Sequence, residues 1–224
     1  LNNSNQDTPL MSHTLLKNKL MPELNKESTF LIVLDCLRYD QWRILQPEFS
    51  KYFLIEEDDC YFSILPTATQ FARNSLFAGL LPSEIQKRYP NLWVDENEDE
   101  RKNEHESDLL KALLKRHGKE DKKMSYNKIT NLYSAKKLLD NFHQLKQNDL
   151  NVIVYNFVDT LSHARTDFKV MRELADDEKG YRSITRSWFE NSPLLEMLKL
   201  LKGTESKVIL TTDHGAVLVD NPKK

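Results

Sequence analysis

Aspartate and histidine side chains follow three apolar runs of this sequence, at points where buried strands would end. Because the carboxyl ends of parallel strands meet at one edge of an open sheet, we expect these side chains to converge. Carboxylates and imidazoles are the ligands that Zn²⁺ accepts in a site that also keeps positions open for chemistry. The sequence therefore predicts a metal centre, and its candidate ligands are Asp35, Asp159, His163, Asp213 and His214.

The spacing of these residues favours a shared site. Asp159 and His163 are four positions apart, so both point to the same side if the chain turns into a helix after the strand. Asp213 and His214 are adjacent, and a strand would send them to opposite faces, but a turn at Gly215 can bring both inward. Each fragment alone is more often a turn or a surface pair than a metal site. Their joint occurrence at strand ends favours the metal centre.

A threonine at the start of a predicted helix has the chemistry of a nucleophile. The apolar spacing from Gln70 to Leu80 is helical, so Thr69 lies at a helix N-terminus, where backbone N–H groups suit a phosphoryl oxygen. A bound metal would lower the pKa of the Thr69 hydroxyl as it lowers that of water. Two alternatives stay open: Thr69 only caps the helix, or Thr67 is the nucleophile.

Two polar residues one helical turn beyond Thr69 are candidates for binding the substrate. Arg73 and Asn74 could contact the non-bridging oxygens of a phosphate, and a guanidinium does so with paired hydrogen bonds. The alternative for Arg73 is a solvated residue on the outside of the helix. We keep both as candidate substrate-binding residues.

Apolar runs alternate with segments of helical periodicity along the chain, which is typical of a parallel sheet with crossover helices. The predicted fold is α/β, with a mostly parallel central sheet and helices on both faces. Residues 1–26 are predicted as a linker and lead-in helix, and residues 27–224 as one catalytic domain. The predicted strands are 30–34, 61–65, 151–158 and 207–211, and the predicted helices are one ended by Pro47, then 70–80, 109–117, 135–145 with Ser134 as its cap, and 188–201.

Composition limits the classes of function. The 224 residues carry a net charge of -2, which argues against non-specific tracking along nucleic acid. No apolar run approaches the length that crosses a bilayer and no signal pattern opens the sequence, so we expect no membrane insertion and a cytoplasmic location. Cys36 and Cys60 fit no disulfide framework and are expected to be reduced. The acidic stretch 95–108 is predicted as a solvated loop.

The order Asp…Thr…Asp-x-x-x-His…Asp-His-Gly resembles the alkaline phosphatase superfamily. Residues 65–80 are similar to the nucleophile segment of its phosphodiesterase branch, and residues 31–40 resemble the opening of PglZ domains. The overall pattern between residues 27 and 220 resembles the effector domain of the PorX response regulators, which are linked to type IX secretion.

The resemblance implies two zinc ions. In the superfamily the second ion takes a further histidine well downstream of the Asp-His motif, whereas no histidine follows His214 here. We therefore expect the sequence to stop short of the end of the domain. The implied ligands of one ion are Asp35, Thr69, Asp213 and His214, and those of the other are Asp159 and His163.

The resemblance also implies a function. We expect a zinc-dependent phosphodiesterase that acts on nucleotides or oligonucleotides through Thr69, as the effector domain of a two-component response regulator controlling type IX secretion. One alternative is a phosphomonoesterase. Another is a non-catalytic regulatory module that keeps the metal and contacts secretion or transcription regulators. Whether the protein forms a homodimer stays open at this point.

Overall fold

The computed structural model describes residues 9–25, 27–94 and 103–216. Backbone contacts divide the chain into two compact units. The helical unit comprises Leu1–Asn25 and Glu56–Asp121, and the sheet unit comprises Lys26–Ile55 and Lys122–Lys224. The predicted boundary at residue 27 stays a prediction.

The helices and strands are numbered along the chain. The strands are β1 (Thr29–Leu34), β2 (Met124–Ile129), β3 (Leu150–Tyr155) and β4 (Lys207–Thr211). The helices are α1 (Ser12–Lys19), α2 (Tyr39–Phe49), α3 (Thr69–Ala78), α4 (Pro82–Arg88), α5 (Glu106–Arg116), α6 (Leu132–Asp140), α7 (Phe142–Leu145), α8 (Phe157–Asp167), α9 (Lys169–Leu174), α10 (Glu178–Glu190) and α11 (Pro193–Leu201). Single 3-10 turns occur at Glu23–Asn25 and Pro90–Leu92.

A parallel sheet forms the centre of the sheet unit. Its strands lie in the order β2-β3-β1-β4, and all of the pairings are parallel. Every residue of β1 and of β3 is buried, as expected of inner parallel strands that are covered on both faces. The predicted α/β fold with a parallel sheet flanked by helices is therefore confirmed.

The register of the strands aligns their carboxyl ends. Leu34 pairs with Tyr155, and Val33 pairs with Thr211, so β1, β3 and β4 end at nearly the same level. Asp35 follows β1 directly at this edge. The sheet therefore brings the residues after three different strands to one place, as the apolar runs of the sequence predicted.

Helices α2, α10 and α11 cover part of the sheet with aromatic and aliphatic side chains. Phe49 of α2 stacks on Phe189 of α10, with ring centroids 5.0 Å apart. Both belong to a core cluster that includes Phe30, Ile32 and Leu34 of β1. Offset aromatic pairs of this kind add stability beyond the area that they bury, and here they fix α10 against α2.

The helical unit packs α3 between α1 and α5. Gly79 ends α3 in the left-handed conformation, with φ of 61°, and its N–H donates to the carbonyl of Ser75 at 2.9 Å. A Cβ atom at this position would lie 2.6 Å from the side chain of Leu113. Glycine is therefore needed both for the backbone conformation and for the close packing of α5, and the predicted end of this helix is confirmed.

One predicted strand is wrong. Residues 61–65 form no strand, and Phe62 makes only an isolated parallel bridge with Met11. Phe62 and Leu65 are 66% and 85% exposed. Ile64 is buried, but the segment pairs with no neighbouring strand beyond that one bridge, so its apolar residues form no strand.

Several predicted boundaries also differ from the structure. Pro47 lies inside α2 and does not end it. The predicted helix 188–201 is two helices, because Ser192 caps α11 with its side chain and Pro193 occupies the first helical position. The cap of α6 is Asn131, whereas the predicted cap Ser134 is its third residue. Strand β2 was not predicted. The predicted strand 151–158 ends at Tyr155 in the structure. Residues 95–102 of the acidic stretch lie outside the described residues.

Cys36 and Cys60 are both unbridged, as predicted. Over the residues that the structure describes, the helices are all too short or too polar to cross a lipid bilayer.

Candidate metal centre

Strand β1 delivers Asp35 to the carboxyl edge of the sheet. The N–H of Asp35 donates to the carbonyl of Tyr155 at 3.0 Å, which extends the pairing of β1 with β3 by one residue. Cys36 then turns the chain with φ of 63°, in the left-handed region that residues other than glycine rarely adopt. The N–H of Cys36 donates to Oδ1 of Asp213 at 3.2 Å. This turn therefore ties the end of β1 to the loop after β4.

Side-chain hydrogen bonds fix the loop after β4. The hydroxyl of Thr212 accepts the N–H of Leu37 at 3.1 Å and donates to the carbonyl of His214 at 2.7 Å. Oδ1 of Asp213 accepts the N–H of Cys36 and also that of His214, the latter at 2.9 Å. Both bonds use the same oxygen of Asp213. The other oxygen, Oδ2, lies 3.8 Å from Nε2 of His214.

The imidazole of His214 is oriented by the backbone. Its Nδ1 lies 2.9 Å from the carbonyl oxygen of Gly215. Because a carbonyl oxygen only accepts, Nδ1 carries the hydrogen, and in the neutral ring Nε2 then has the lone pair that a metal binds. Nε2 lies 4.0 Å from Oδ1 of Asp35. A carbonyl on the far nitrogen is a common way of orienting a metal-binding histidine.

Asp35, Asp213 and His214 fit a divalent metal ion. One ligand atom from each lies within 4.8 Å of the others, and the side chains are 2%, 0% and 9% exposed. Two buried carboxylates so close together are unfavourable unless a cation balances them. Zinc bonds of about 2.1 Å in a tetrahedral site separate ligand atoms by about 3.4 Å, so binding requires only a small inward movement. In the described part of the chain, no other group of three such residues comes together.

Helix α8 carries the second predicted pair of ligands. Asp159 lies in the first turn of α8 and His163 one turn later, with Nε2 of His163 at 3.5 Å from Oδ1 of Asp159. The spacing of four residues thus brings the two side chains together, as predicted. Asp159 is 27% exposed and His163 is 74% exposed. The pair lies outside the group formed by Asp35, Asp213 and His214.

The thiol of Cys36 relates Asp159 to that group. Burial, and then the negative charges of Asp159, Asp35 and Asp213, raise the pKa of Cys36 to about 12. Such a thiol stays protonated at neutral pH, so Cys36 is a buried side chain and no thiolate nucleophile. The charge of Asp159 thus acts on the same thiol as the charges of Asp35 and Asp213.

Thr69 is the first residue of α3 in the helical unit. The predicted helix N-terminus is therefore confirmed. The N-cap position is held by Ala68, so the alternative that Thr69 is the cap is wrong. Thr69 is half-buried, whereas Thr67 is exposed. The choice of Thr69 as the nucleophile stays a prediction.

Arg73 of α3 forms a buried ion pair. Its Nε lies 2.6 Å from Oε1 of Glu106 on α5, and the two side chains are 2% and 1% exposed. The alternative of a solvated helix residue is therefore wrong. Asn74 is buried as well, at 2%. Contact of Arg73 and Asn74 with a substrate stays a prediction. No sequence pattern indicated that Glu106, 33 positions away, is the partner of Arg73.

A cluster of charged residues at the start of α2 was only partly anticipated. Arg38 binds Asp40 with Nε at 2.9 Å and Nη2 at 2.6 Å, and the short spacing of this pair was a usable signal. Arg182 of α10 donates to the same carboxylate at 3.0 Å. Glu178 of α10 is shared by Arg38 and Arg165, the latter at 2.9 Å. The contacts of Arg182 with Asp40 and of Arg38 with Glu178 join residues more than a hundred positions apart, which is beyond any local pattern.

We expect acid to weaken this cluster. Hydrogen bonds from Arg38 and Arg182 lower the pKa of Asp40 to about 2, from an ordinary value of 3.8. Because the folded-state pKa is lowered, the ionised carboxylate stabilises the protein above about pH 4, and this contribution is lost as the pH falls from about 4 to about 2. Asp40 is partly exposed, so solvent screening limits the contribution to about 1 kcal/mol.

Urea unfolding at pH 7 and at pH 3 measures this contribution. Asp40→Asn should lose less stability between the two pH values than the wild type, because the variant has no carboxylate to protonate. Equal losses in the two proteins would contradict the assignment.

The fold and the site define a class of protein. A parallel α/β sheet that gathers carboxylates and an imidazole behind its strands is the arrangement of alkaline-phosphatase-like hydrolases. The family model described as the BREX system PglZ alkaline phosphatase-like domain matches residues 15–224. The chain therefore belongs to the PglZ family, a phosphoester-hydrolase type of domain that usually binds metal ions. No match was found among curated proteins.

Proposed function

We propose that this PglZ domain is a zinc-dependent phosphodiesterase that acts on nucleotides or oligonucleotides. The observation that carries the proposal is the group of Asp35, Asp213 and His214 at the carboxyl edge of the parallel sheet. A phosphoester-hydrolase family alone would leave open whether this chain keeps a working site. The close approach of three buried ligand groups supports that it does.

Zinc is proposed because the group combines carboxylates with a neutral imidazole. When bound, the ion would lower the pKa of a coordinated hydroxyl and balance the charge of a phosphoryl group. The chain itself supplies the orientation. The carbonyl of Gly215 sets the ring of His214, and the N–H groups of Cys36 and His214 set the carboxylate of Asp213. The ligands are thus positioned before a metal arrives.

Asp159 and His163 are the proposed ligands of a second ion. They face one another on α8, and the carboxylate of Asp159 acts on the same buried thiol as those of Asp35 and Asp213. Two ions about 4 Å apart can balance both the attacking and the leaving oxygen of an in-line displacement. The exposed ring of His163 leaves this pair open to further ligands.

Thr69 is the proposed nucleophile and is also a proposed ligand of the first ion. As the first residue of α3 it lies at the positive end of the helix dipole, which suits a phosphoryl oxygen. Arg73 and Asn74 follow one turn later and are proposed to act on the substrate. For Arg73 this role would have to coexist with its ion pair to Glu106.

The wider role is proposed from the resemblance to the PorX effector domains. On that basis the domain is the cytoplasmic output of a two-component response regulator that controls type IX secretion, with secretion or transcription regulators as partners and a homodimer as one assembly. The competing proposal is a regulatory module that binds metal without turnover. The group of Asp35, Asp213 and His214 is compatible with both, so turnover must decide.

Hydrolysis of two model esters tests the proposal. We expect the zinc-loaded protein to cleave bis-p-nitrophenyl phosphate faster than p-nitrophenyl phosphate, and Thr69→Ala to reduce turnover of the diester by about 10³-fold while the metal content is unchanged. Thr67→Ala is the matched control and should keep its activity.

Each outcome separates the alternatives. Preference for the monoester would favour a phosphomonoesterase. Full activity in Thr69→Ala together with loss in Thr67→Ala would move the nucleophile to Thr67. If the metal-loaded wild type hydrolyses neither ester, the remaining alternative is the regulatory module that binds metal without turnover.

A further inference from the structure

Helix α10 joins the two parts of the sheet unit that carry the proposed metal ligands. One part is the turn after β1, with Asp35 at its start and Arg38 at its end. The other part is α8, with Asp159 in its first turn and Arg165 in its last. The pairing of β1 with β3 brings the two parts to the same edge of the sheet, and α10 contacts both of them beyond that edge.

Tyr181 of α10 lies between the two arginines. Its ring centroid is 5.5 Å from Cζ of Arg38 and 4.9 Å from Cζ of Arg165. Tyr181 is 2% exposed, and the arginine side chains are 16% and 14% exposed. A guanidinium placed over an aromatic ring is attracted more strongly when water is excluded. One ring thus holds a residue of the β1–α2 turn and a residue of α8 together.

Glu178, one turn before Tyr181, forms ion pairs with the same two arginines. Its Oε1 accepts a hydrogen bond from Nη1 of Arg165 at 2.9 Å, and its Oε2 accepts one from Nη2 of Arg38. Both bonds are charge-assisted, and such bonds are roughly twice as strong as neutral ones. One oxygen of Glu178 therefore binds α8, and the other binds the turn after β1.

Neutral hydrogen bonds complete the link. Gln41 of α2 accepts the N–H of Arg38 at 3.1 Å and donates to Thr185 of α10 at 2.9 Å. The amide of Gln41 thus connects the turn after β1 with α10.

We propose that Tyr181 and Glu178 are positioning residues, which hold α8 against the β1–α2 turn so that Asp159 and His163 stay within reach of the group formed by Asp35, Asp213 and His214. The proposal rests on the two-ion site proposed above. It assigns α10 no contact with the substrate. Its consequence is that weakening α10 releases the second ion while the first ion remains.

Two variants and one control test this role. Glu178→Gln removes the charge of the carboxylate, and Tyr181→Leu removes the ring that Arg38 and Arg165 contact. Glu190→Gln is the control, because Glu190 lies on the same helix and also pairs with an arginine, Arg186, but at the exposed end. Gln and Leu are both good helix formers, so all three variants are expected to fold.

The first measurement does not depend on metal. Hydrogen–deuterium exchange of the metal-free proteins should show faster exchange of α8 peptides in Glu178→Gln and Tyr181→Leu, with Glu190→Gln unchanged. The second measurement titrates each protein with Zn²⁺ and counts ions per chain. Both test variants should bind the weaker ion about 10-fold less tightly and keep the tighter ion at wild-type affinity.

The outcomes are distinct. Unchanged exchange of α8 in both test variants overturns the proposal, and so does faster exchange with unchanged zinc affinity. Equal weakening of both ions would also overturn it, since α10 would then support the whole unit. A wild type that binds at most one ion would instead refute the two-ion site of the proposed function, while the exchange data would still report whether α10 holds α8.

Discussion

Asp213→Asn should remove both the bound metal and the hydrolytic activity of this domain. A metal ion contributes several kcal/mol to charge balance in such reactions, and about 4 kcal/mol corresponds to a fall of roughly 10³-fold in rate. The amide keeps an oxygen that can accept the N–H groups of Cys36 and His214, so the loop after β4 should survive the change. Metal per chain and turnover of bis-p-nitrophenyl phosphate measure the effect.

Asp140→Asn provides the matched control for this prediction. Asp140 is the last residue of α6 in the same unit and is exposed at the surface. Its amide variant should keep the metal content and the activity of the wild type. Wild-type metal content in Asp213→Asn would remove this residue from the ligand set.

Glu106→Gln should destabilise the protein by about 3–5 kcal/mol, the usual cost of leaving one partner of a buried ion pair without its counter-charge. Both side chains of the Arg73–Glu106 pair are at most 2% exposed, so water cannot replace the lost charge. A chain of this size should unfold roughly 10 °C lower as a result. Thermal unfolding followed by circular dichroism gives the shift.

Asp108→Asn is the control, because Asp108 lies on the same helix and pairs with Lys111 at the surface, where it is 50% exposed. We expect a change of no more than about 0.5 kcal/mol there. A second variant, Arg73→Met with Glu106→Leu, should recover much of the stability, since apolar side chains can replace a buried pair. If Glu106→Gln unfolded at the same temperature as Asp108→Asn, the pair would not be a stabilising element of the helical unit.

The central strands β1 and β3 could be predicted because a short, nearly continuous apolar run is typical of a strand that is buried on both faces. Every position of β1 and β3 is buried, and apart from Thr29 and Asn151 near their starts both strands are apolar, which leaves no exposed face. β2 was missed because its sequence, Met124–Ile129, mixes polar and apolar residues and is mostly half-buried. The reverse error occurred at residues 61–65, where Phe62 and Leu65 look like core residues and are exposed.

Metal ligands next to strands were visible in the sequence for the same reason. The register of parallel strands is nearly level at the carboxyl edge, so residues directly after strands meet whatever their separation in sequence. Asp35, Asp213 and His214 are of this kind. Glu106, Glu178 and Tyr181 are not, since helix packing brings them to their partners, and the partner of a helical residue depends on rotation and crossing angles that no local pattern encodes.

The position of β4 has a consequence for how the site comes apart. Among the described strands β4 lies at the margin of the sheet, and all five of its residues are half-buried, while β1 is fully enclosed. Asp35 thus follows a fully buried inner strand, whereas Asp213 and His214 follow an edge strand that opens more easily. A cation bound by residues after both strands would link β4 to β1. Removing that cation with a chelator should then let β4 detach from the sheet before the rest of the domain unfolds.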